Sequence, residues 1–393
     1  MSIVDPPADR VDSAPRASRW TNRRIVEVAT AAVGGALIVG AVAANQRWLD
    51  GHFLPSFFLP RGWYVRIETA VRLGIAVAGA LLAVVARSRL AGLVSRAAQL
   101  VVRIAVAAAL ALIASELVLQ RVHLRPTGWL VAEEEPRRQP DARLGWVLAP
   151  GRVGRSVVGG RAIDYAIDPS GYRVRGAGAL VDPERPTIVF AGESVMFGEG
   201  LAWEETIPAQ AAAMVGVQSA NLAVHGYSND QAYARLVQEL PRFRRPTAVV
   251  ALFMTALFGR NLDDDRPYLD ADLLWHAAEE SPRLASLAAL LVPYRTTRTV
   301  ELGVRTTRAV LRATVELARA RGAVPLIVIP QFGPEDEAER LLRRRIIDDT
   351  FPTLLVTVDA GWRLPWDRHP NARAAHEIAA AIAAHLRNGE AQR

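Results

Sequence analysis

Cysteine and lysine are both absent from this 393-residue chain. Without cysteine the chain has no disulfide and no cysteine-based zinc site. Without lysine it has neither the Walker A phosphate loop nor the Schiff base that pyridoxal phosphate requires. All 47 basic residues are therefore arginine, and the formal net charge is +7. Because the arginines are scattered and several lie at the edges of apolar segments, we expect no nucleic-acid partner.

Apolar residues are concentrated in the first third of the chain. Residues 1–24 are rich in Pro, Asp, Ser and Arg and predict a disordered N-terminus. Residues 25–121 predict a membrane region of about three transmembrane helices. Its strongest segment, residues 29–46, has no charged residue and is close to the roughly 20 residues that a bilayer crossing needs. The weaker segments are residues 71–86 and 101–118. A cleaved signal peptide is the alternative for the first segment, and buried helices of a soluble bundle for the other two.

Arginine placement predicts the orientation of these segments. Arginines precede the first segment and lie between the second and third: Arg16, Arg19, Arg23, Arg24, Arg87, Arg89 and Arg96. The positive-inside bias places both stretches in the cytoplasm. Three crossings, or one, then put the rest of the chain outside the cytoplasm, and only an even count reverses this. Arg72, inside the second segment, is tolerated if it reaches towards the interface. The aromatic residues between positions 48 and 64, Phe57 among them, suit the membrane–water boundary.

From residue 187 onwards, strand and helix signals alternate. Short β-branched or apolar runs predict five strands, at residues 187–191, 219–224, 247–254, 325–330 and 353–358. Alternation with helices predicts an α/β fold, a parallel sheet covered on both faces. Such sheets bind ligands at the carboxyl ends of their strands. We assign residues 187–390 to this domain. Residues 122–186, interrupted by Pro and Gly, are predicted to form an irregular arm with short hairpins.

Ser194 follows the first of these strands, in the sequence IVFAGESVMFGEG of residues 188–200. A serine just past the carboxyl end of a buried strand occupies the position of an exposed nucleophile in an α/β enzyme. The alternative is that Ser194 only caps the next helix.

Two further elements carry groups that a nucleophilic serine needs. The segment WDRHPN, residues 366–371, offers His369 as the base and Asp367 as the carboxylate that orients it. Its alternative role is a turn that caps the last helix. Gly226 follows the second strand, and its amide, with that of Ser194, can donate to an oxyanion. A plain strand-to-helix turn is the alternative there.

Together these elements resemble the SGNH (GDSL-type) hydrolase family over residues 140–386. The family opens with a Gly-Asp-Ser block, continues with a glycine block and an asparagine block, and closes with Asp-x-x-His or Asp-x-His. The segment DPSGYR, residues 168–173, is similar to the lead-in of membrane-linked members. The resemblance implies a flavodoxin-like three-layer sandwich. It also implies these roles: nucleophile Ser194, base His369, its partner Asp367 and oxyanion donor Gly226.

The chain departs from the family pattern at two places. Glu193 stands where the family usually has Asp. The third block, residues 255–267, reads TALFGRNLDDDRP and has no asparagine in the usual position. Losing one oxyanion donor costs about 3 kcal/mol. We hypothesise that Asn261 or a loop amide substitutes for it.

These features predict ester hydrolysis through an acyl-enzyme, on an acylated glycan or lipid of a bacterial envelope. No metal or organic cofactor is implied, and the expected partners are an acyl-ester substrate and the lipid bilayer. The expected location is the membrane, with the catalytic domain on the extracytoplasmic side. Two alternatives remain: an O-acyltransferase that uses the same triad, and a non-catalytic envelope protein with a degenerate hydrolase domain. Retention of Ser194, Asp367 and His369 favours an enzyme.

Overall fold

The computed structural model describes residues 16–54, 57, 60–119, 134–262, 265–279, 294–365 and 368–390. It divides into two compact units. The first comprises Met1–Leu49 with Arg61–Val118, and the second comprises Asp50–Pro60 with Leu119–Arg393. Residues 50–60, which we call the linker segment, connect the first two apolar helices but belong to the second unit.

The N-terminal region is helical. Its helices are α1 (Arg16–Ala43), α2 (Gln46–His52), α3 (Arg61–Leu81), α4 (Arg87–Arg96) and α5 (Ala98–Leu119). A π-helical turn, Leu82–Ala86, joins α3 to α4. Three helical stretches are long and apolar enough to cross a membrane: Arg23–Ala43, Arg61–Val94 and Gln99–Val118. Residues 16–24, predicted to be disordered, are helical, whereas residues 1–15 lie outside the described part of the chain.

Helices α1 and α3 approach each other through glycine. A Cβ added to Gly34 would lie 2.5 Å from the carbonyl oxygen of Gly79, and one added to Gly79 would lie 2.6 Å from that of Gly34. Small residues allow such close packing between apolar helices. Arg72 has a hydrogen-bond acceptor within this pair of helices, because its Nε donates to the Ala41 carbonyl at 3.0 Å. It does not need to extend to the membrane–water interface to find one.

The second unit is built on an eight-stranded sheet. Its strands and those of two small hairpins are β1 (Arg138–Asp141), β2 (Gly145–Leu148), β3 (Val153–Val158), β4 (Arg161–Ile167), β5 (Arg173–Val174), β6 (Thr187–Ala191), β7 (Gln218–Asn221), β8 (Pro246–Leu252), β9 (Tyr268–Leu269), β10 (Trp275–His276), β11 (Val324–Phe332) and β12 (Thr353–Val358). The sheet order is β12-β11-β8-β6-β7-β5-β4-β3. The first five strands in this order are parallel, and the last three extend the sheet antiparallel.

Helices cover both faces of the parallel part. They are α6 (Ser194–Phe197), α7 (Ile207–Val215), α8 (Asn229–Glu239), α9 (Thr297–Ala320), α10 (Glu337–Ile346) and α11 (Ala372–Glu390). Strand β6 shows the layering, because successive side chains of a strand point to opposite faces. Ile188 and Phe190 belong to one core with α7 and α11, whereas Val189 and Ala191 belong to another with α8 and α9. The predicted three-layer α/β fold is confirmed.

The sheet reaches into the region predicted to be an irregular arm. Residues 153–174 supply strands β3, β4 and β5, which continue the sheet beyond β7. At the centre, β6 lies between β7 and β8, with Phe190 opposite Asn221 and Ala191 opposite Ala251. The loops that follow these three neighbouring strands therefore emerge side by side at one edge of the sheet.

Candidate active site

Ser194 is buried at the start of α6, directly after β6. The N-cap of this helix is Glu193, whose side chain accepts a hydrogen bond from the Val195 amide at 3.2 Å. The capping role therefore falls to Glu193 rather than to the serine. The Ser194 hydroxyl donates to Glu193 Oε2 at 2.6 Å, and its Oγ lies 2.8 Å from His369 Nε2. The structure thus brings the predicted nucleophile and base into hydrogen-bonding distance.

His369 is also buried and is fixed by its neighbours in the chain. Its carbonyl accepts from the Leu364 amide at 2.6 Å. Helix α11, which follows, is capped by Asn371, whose Oδ1 accepts from the Ala374 amide at 3.0 Å. Capping of the last helix is therefore done by Asn371. Asp367 lies outside the described residues, so its role as the orienting carboxylate stays a prediction. A second carboxylate, that of Glu199, lies 3.9 Å from His369 Nε2.

The Ser194 hydroxyl has two neighbours that can take its hydrogen bond. In this arrangement the hydrogen points to the Glu193 carboxylate, and Nε2 of His369 faces the serine oxygen. A hydroxyl rotates about its C–O bond to suit its surroundings. Rotation towards an unprotonated Nε2 gives the geometry that general-base catalysis requires.

Phe57 of the linker segment packs against the imidazole of His369. The two ring centroids are 5.3 Å apart with the planes at 58°, and Phe57 is only 3 % exposed. The guanidinium carbon of Arg363 lies 5.1 Å from the Phe57 ring centroid. Arg368 Nε donates to the Phe57 carbonyl at 3.3 Å. Phe57, whose position near the membrane–water boundary stays a prediction, belongs to the hydrophobic core of the second unit.

The linker segment is held at a second point, near the start of α9. The His52 ring stacks on Tyr294 with centroids 5.4 Å apart, and its Nε2 lies 3.2 Å from Thr297 Oγ1. The Arg295 amide donates to the His52 carbonyl at 2.8 Å. Phe53 contacts Tyr294 edge-on at 5.8 Å. The segment is therefore tied to the rest of the second unit by polar and aromatic contacts at two points.

Gly226 occupies a position that only glycine suits. Its φ is +84°, and an added Cβ would lie 3.0 Å from the Trp146 ring. The Trp146 indole donates to the His225 carbonyl at 3.1 Å, and Arg266 donates to the Gly226 carbonyl at 2.9 Å. The second-strand loop is thereby fixed through its carbonyl groups. Use of the Gly226 amide as an oxyanion donor stays a prediction.

The side chain of Asn261 is engaged with residues of α8 and α9. Its Nδ2 donates to Asn229 Oδ1 at 2.9 Å and to Thr307 Oγ1 at 3.0 Å, and its Oδ1 accepts from the Asn229 amide at 2.9 Å. A side-chain amide has two hydrogens to donate. Since both are used in these contacts, we expect Asn261 to fix the start of α8 rather than to bind an oxyanion.

Positive charge lies close to Ser194 in the form of Arg260. Its Nη1 is 3.4 Å from Glu193 Oε2, with 21 % of the Arg260 side chain and 8 % of the Glu193 side chain exposed. His225 is nearby but does not add charge. Desolvation, helped by the positive charges of Arg138, His369 and Arg260, lowers the pKa of His225 to about 3. Its imidazole is therefore neutral at ordinary pH.

The lead-in motif supports the turn that follows Ser194. The fully buried Arg173 donates to the carbonyls of Phe197, Gly198 and Leu201 at 2.6 to 2.8 Å. Its guanidinium lies 4.7 Å from each of two ring centroids, those of Tyr165 and Phe197. Burial lowers the pKa of Arg173 to about 10, which leaves it charged at neutral pH. The motif thus supports the helix that begins at Ser194.

Comparison with known proteins gives likenesses in structure only. No family model matches the chain, and no curated protein matches it. Similar solved structures include an acetyl xylan esterase from the rumen bacterium Butyrivibrio proteoclasticus, with 11 % identity over 56 % of this chain and 68 % of that one, at a TM-score of 0.32. A GDSL-like lipase from Bacteroides thetaiotaomicron VPI-5482 shows 13 % identity over 52 % and 88 %, at 0.31. A member of the lipolytic protein G-D-S-L family from Veillonella parvula DSM 2008 shows 12 % over 50 % and 94 %, at 0.30. At these values the likenesses do not bear on activity.

Proposed function

We propose that this chain is a serine esterase of the SGNH type. The observation that carries the proposal is the 2.8 Å distance between His369 Nε2 and Ser194 Oγ, two buried groups that are 175 residues apart in the chain. A serine paired with a histidine at this distance is the arrangement that activates a hydroxyl as a nucleophile. The position of the pair, at the carboxyl end of a central parallel strand, is where α/β enzymes bind substrates.

The reaction has two halves. His369 takes the proton of Ser194 as Oγ attacks the ester carbonyl, and a tetrahedral intermediate with an oxyanion forms. The intermediate collapses to an acyl-enzyme, and His369 gives its proton to the departing alcohol. Water, deprotonated by His369, then attacks the acyl carbon, and the acid leaves as the bond to Ser194 Oγ breaks and His369 returns the proton to Oγ. Asp367 is proposed to hold the imidazole in the required orientation, and the amides of Ser194 and Gly226 to donate to the oxyanion.

The test is hydrolysis of p-nitrophenyl acetate and butyrate by the full chain in detergent or nanodiscs. The soluble part alone is unsuitable, because the linker segment lies against His369. We expect Ser194→Ala and His369→Ala each to abolish turnover. Ser156→Ala, on β3, is the matched serine control and should keep full activity.

The outcomes separate the alternatives. Turnover by the parent that survives Ser194→Ala would contradict the proposed nucleophile. Failure to hydrolyse either ester, combined with acyl transfer to an added glycan acceptor, would indicate an O-acyltransferase. Neither activity from a folded chain would indicate a degenerate hydrolase domain.

The proposed location is the membrane, with the esterase unit outside the cytoplasm. Three helical stretches have the length and apolar character of spans, and the arginine-rich residues 16–24 and 87–96 favour the cytoplasmic side. An acylated glycan or lipid of the envelope is the substrate class that this location supports. Protease accessibility in intact cells and in inverted vesicles checks it: cleavage of the second unit in inverted vesicles alone would contradict the orientation.

A further inference from the structure

The two departures of this chain from the SGNH pattern are in direct contact. Glu193 replaces an aspartate, and the third block lacks its asparagine but contains Arg260. Arg260 Nη1 lies 3.4 Å from Glu193 Oε2, although the two residues are 67 positions apart. The same carboxylate oxygen accepts from the nucleophile. Glu193 and Arg260 therefore form a contact pair in a site whose third block lacks the usual asparagine donor.

We propose that Arg260 is a catalytic residue that donates a hydrogen bond to the oxyanion formed on Ser194. This inference rests on the proposed esterase function and names the donor that the third block otherwise lacks.

The geometry brings the guanidinium within reach of the reacting atoms. Because the two contacts share Glu193 Oε2, Nη1 of Arg260 lies no more than about 6 Å from Ser194 Oγ. The oxyanion is only one bond beyond the carbon that Oγ attacks, and a guanidinium presents five N–H groups in a rigid fork. Glu193 contacts Nη1 of this fork, and the proposal places an N–H of the same guanidinium on the oxyanion.

Charge provides the second argument. The Glu193 carboxylate, 2.6 Å from Oγ, would repel an oxyanion if it stood alone. Arg260 offsets that charge and offers a donor whose positive charge favours the transition state. Both side chains are largely shielded from water, which strengthens such electrostatic effects. Loss of one oxyanion donor typically lowers kcat by about 10² to 10³.

The test compares Arg260→Met and Arg260→Lys with the parent full chain. We expect Arg260→Met to lower kcat about 10²-fold with little change in KM, because an oxyanion exists only in the transition state. Arg260→Lys should retain an intermediate rate, since it keeps the charge but not the fork. Added guanidinium should partly restore Arg260→Ala. Arg345→Met is the matched control: Arg345 pairs with Glu301 at 2.6 Å, between α10 and α9, and its loss should leave kcat unchanged.

A double variant distinguishes a donor to the oxyanion from a residue that only neutralises Glu193. If Arg260 contacts the oxyanion, Arg260→Met lowers kcat in a Glu193→Gln background as well. A loss that disappears in that background would overturn the proposal, as would a kcat within threefold of the parent in an Arg260→Met variant that unfolds at the parental temperature. Absence of Ser194-dependent turnover in the parent would instead overturn the proposed function, and this inference with it.

Discussion

Phe57→Ala changes a residue that lies between two apolar helices in the chain but packs on the proposed catalytic base. In the core of a protein, Phe→Ala typically costs about 3 to 5 kcal/mol. Phe57 belongs to the core that the sheet forms with α7 and α11, so we expect that cost to appear as a lower stability of the second unit. The contact with the imidazole is an aromatic pair, worth about 0.5 to 1.5 kcal/mol. Where the whole of that energy serves to position His369, its loss lowers kcat roughly two- to tenfold.

The assay is p-nitrophenyl butyrate hydrolysis by the full chain, with thermal unfolding measured in parallel. Phe53→Ala is the matched control, since Phe53 lies on the same segment but contacts Tyr294 rather than the base. We expect Phe57→Leu, which refills much of the space, to recover part of the loss. Equal rates for Phe57→Ala and Phe53→Ala would refute the reasoning, because a general loosening of the segment would then explain any effect.

Three further predictions concern the surroundings of the site. Arg173→Met removes the donors to three buried carbonyls. We expect this loss to lower the free energy of unfolding by about 3 kcal/mol and Tm by roughly 6 to 12 °C, and an unchanged Tm would contradict the expectation. His225→Asn should not move the acid limb of the pH profile of kcat/KM, which is the fall in rate caused by protonation of the base His369. His225 has a pKa of about 3 and is therefore already neutral in that pH range. A shift of the limb in this variant would assign it to His225. Asn261→Ala should lower stability by about 1 to 3 kcal/mol and reduce kcat far less than Arg260→Met does; a comparable fall in kcat would return the oxyanion role to Asn261.

The parallel sheet and the pairing of Ser194 with His369 were accessible from the sequence for the same reason. Four of the five parallel strands are short runs rich in apolar residues, as expected for strands covered on both faces, whereas β7 reads QSAN. Once the strands are parallel, the loops that follow them meet at one edge, so residues far apart in the chain can be placed together. The antiparallel strands β3 to β5 were not predicted, because β3 alternates between exposed and half-buried residues and glycines interrupt its surroundings.

The sequence around Phe57, Arg173 and Arg260 does not predict the contacts that these residues make in the folded chain. Phe57 accepts from Arg368, 311 positions away, and no pattern around either residue announces the contact. Arg173 was visible only as part of a motif whose purpose, the support of three carbonyls, depends on the folded turn. For Arg260 a signal existed in retrospect, since two departures from one family pattern suggest a compensated pair. Asn261 had the right residue type, but Asn229 and Thr307 decide where its amide points.

Docking of the linker segment restricts how the chain can thread through a bilayer. A ring contact of 5.3 Å between Phe57 and His369 cannot extend through a hydrocarbon layer about 30 Å thick. If the apolar helices insert into a bilayer, the chain must cross an even number of times between residue 60 and the rest of the second unit, so Arg61–Val94 and Gln99–Val118 either both cross or both stay on one side. Because the chain has no cysteine, single cysteines at the open position Gly51 and at the exposed Val157 can report this parity directly. An impermeant thiol reagent must label both from the same side of the membrane.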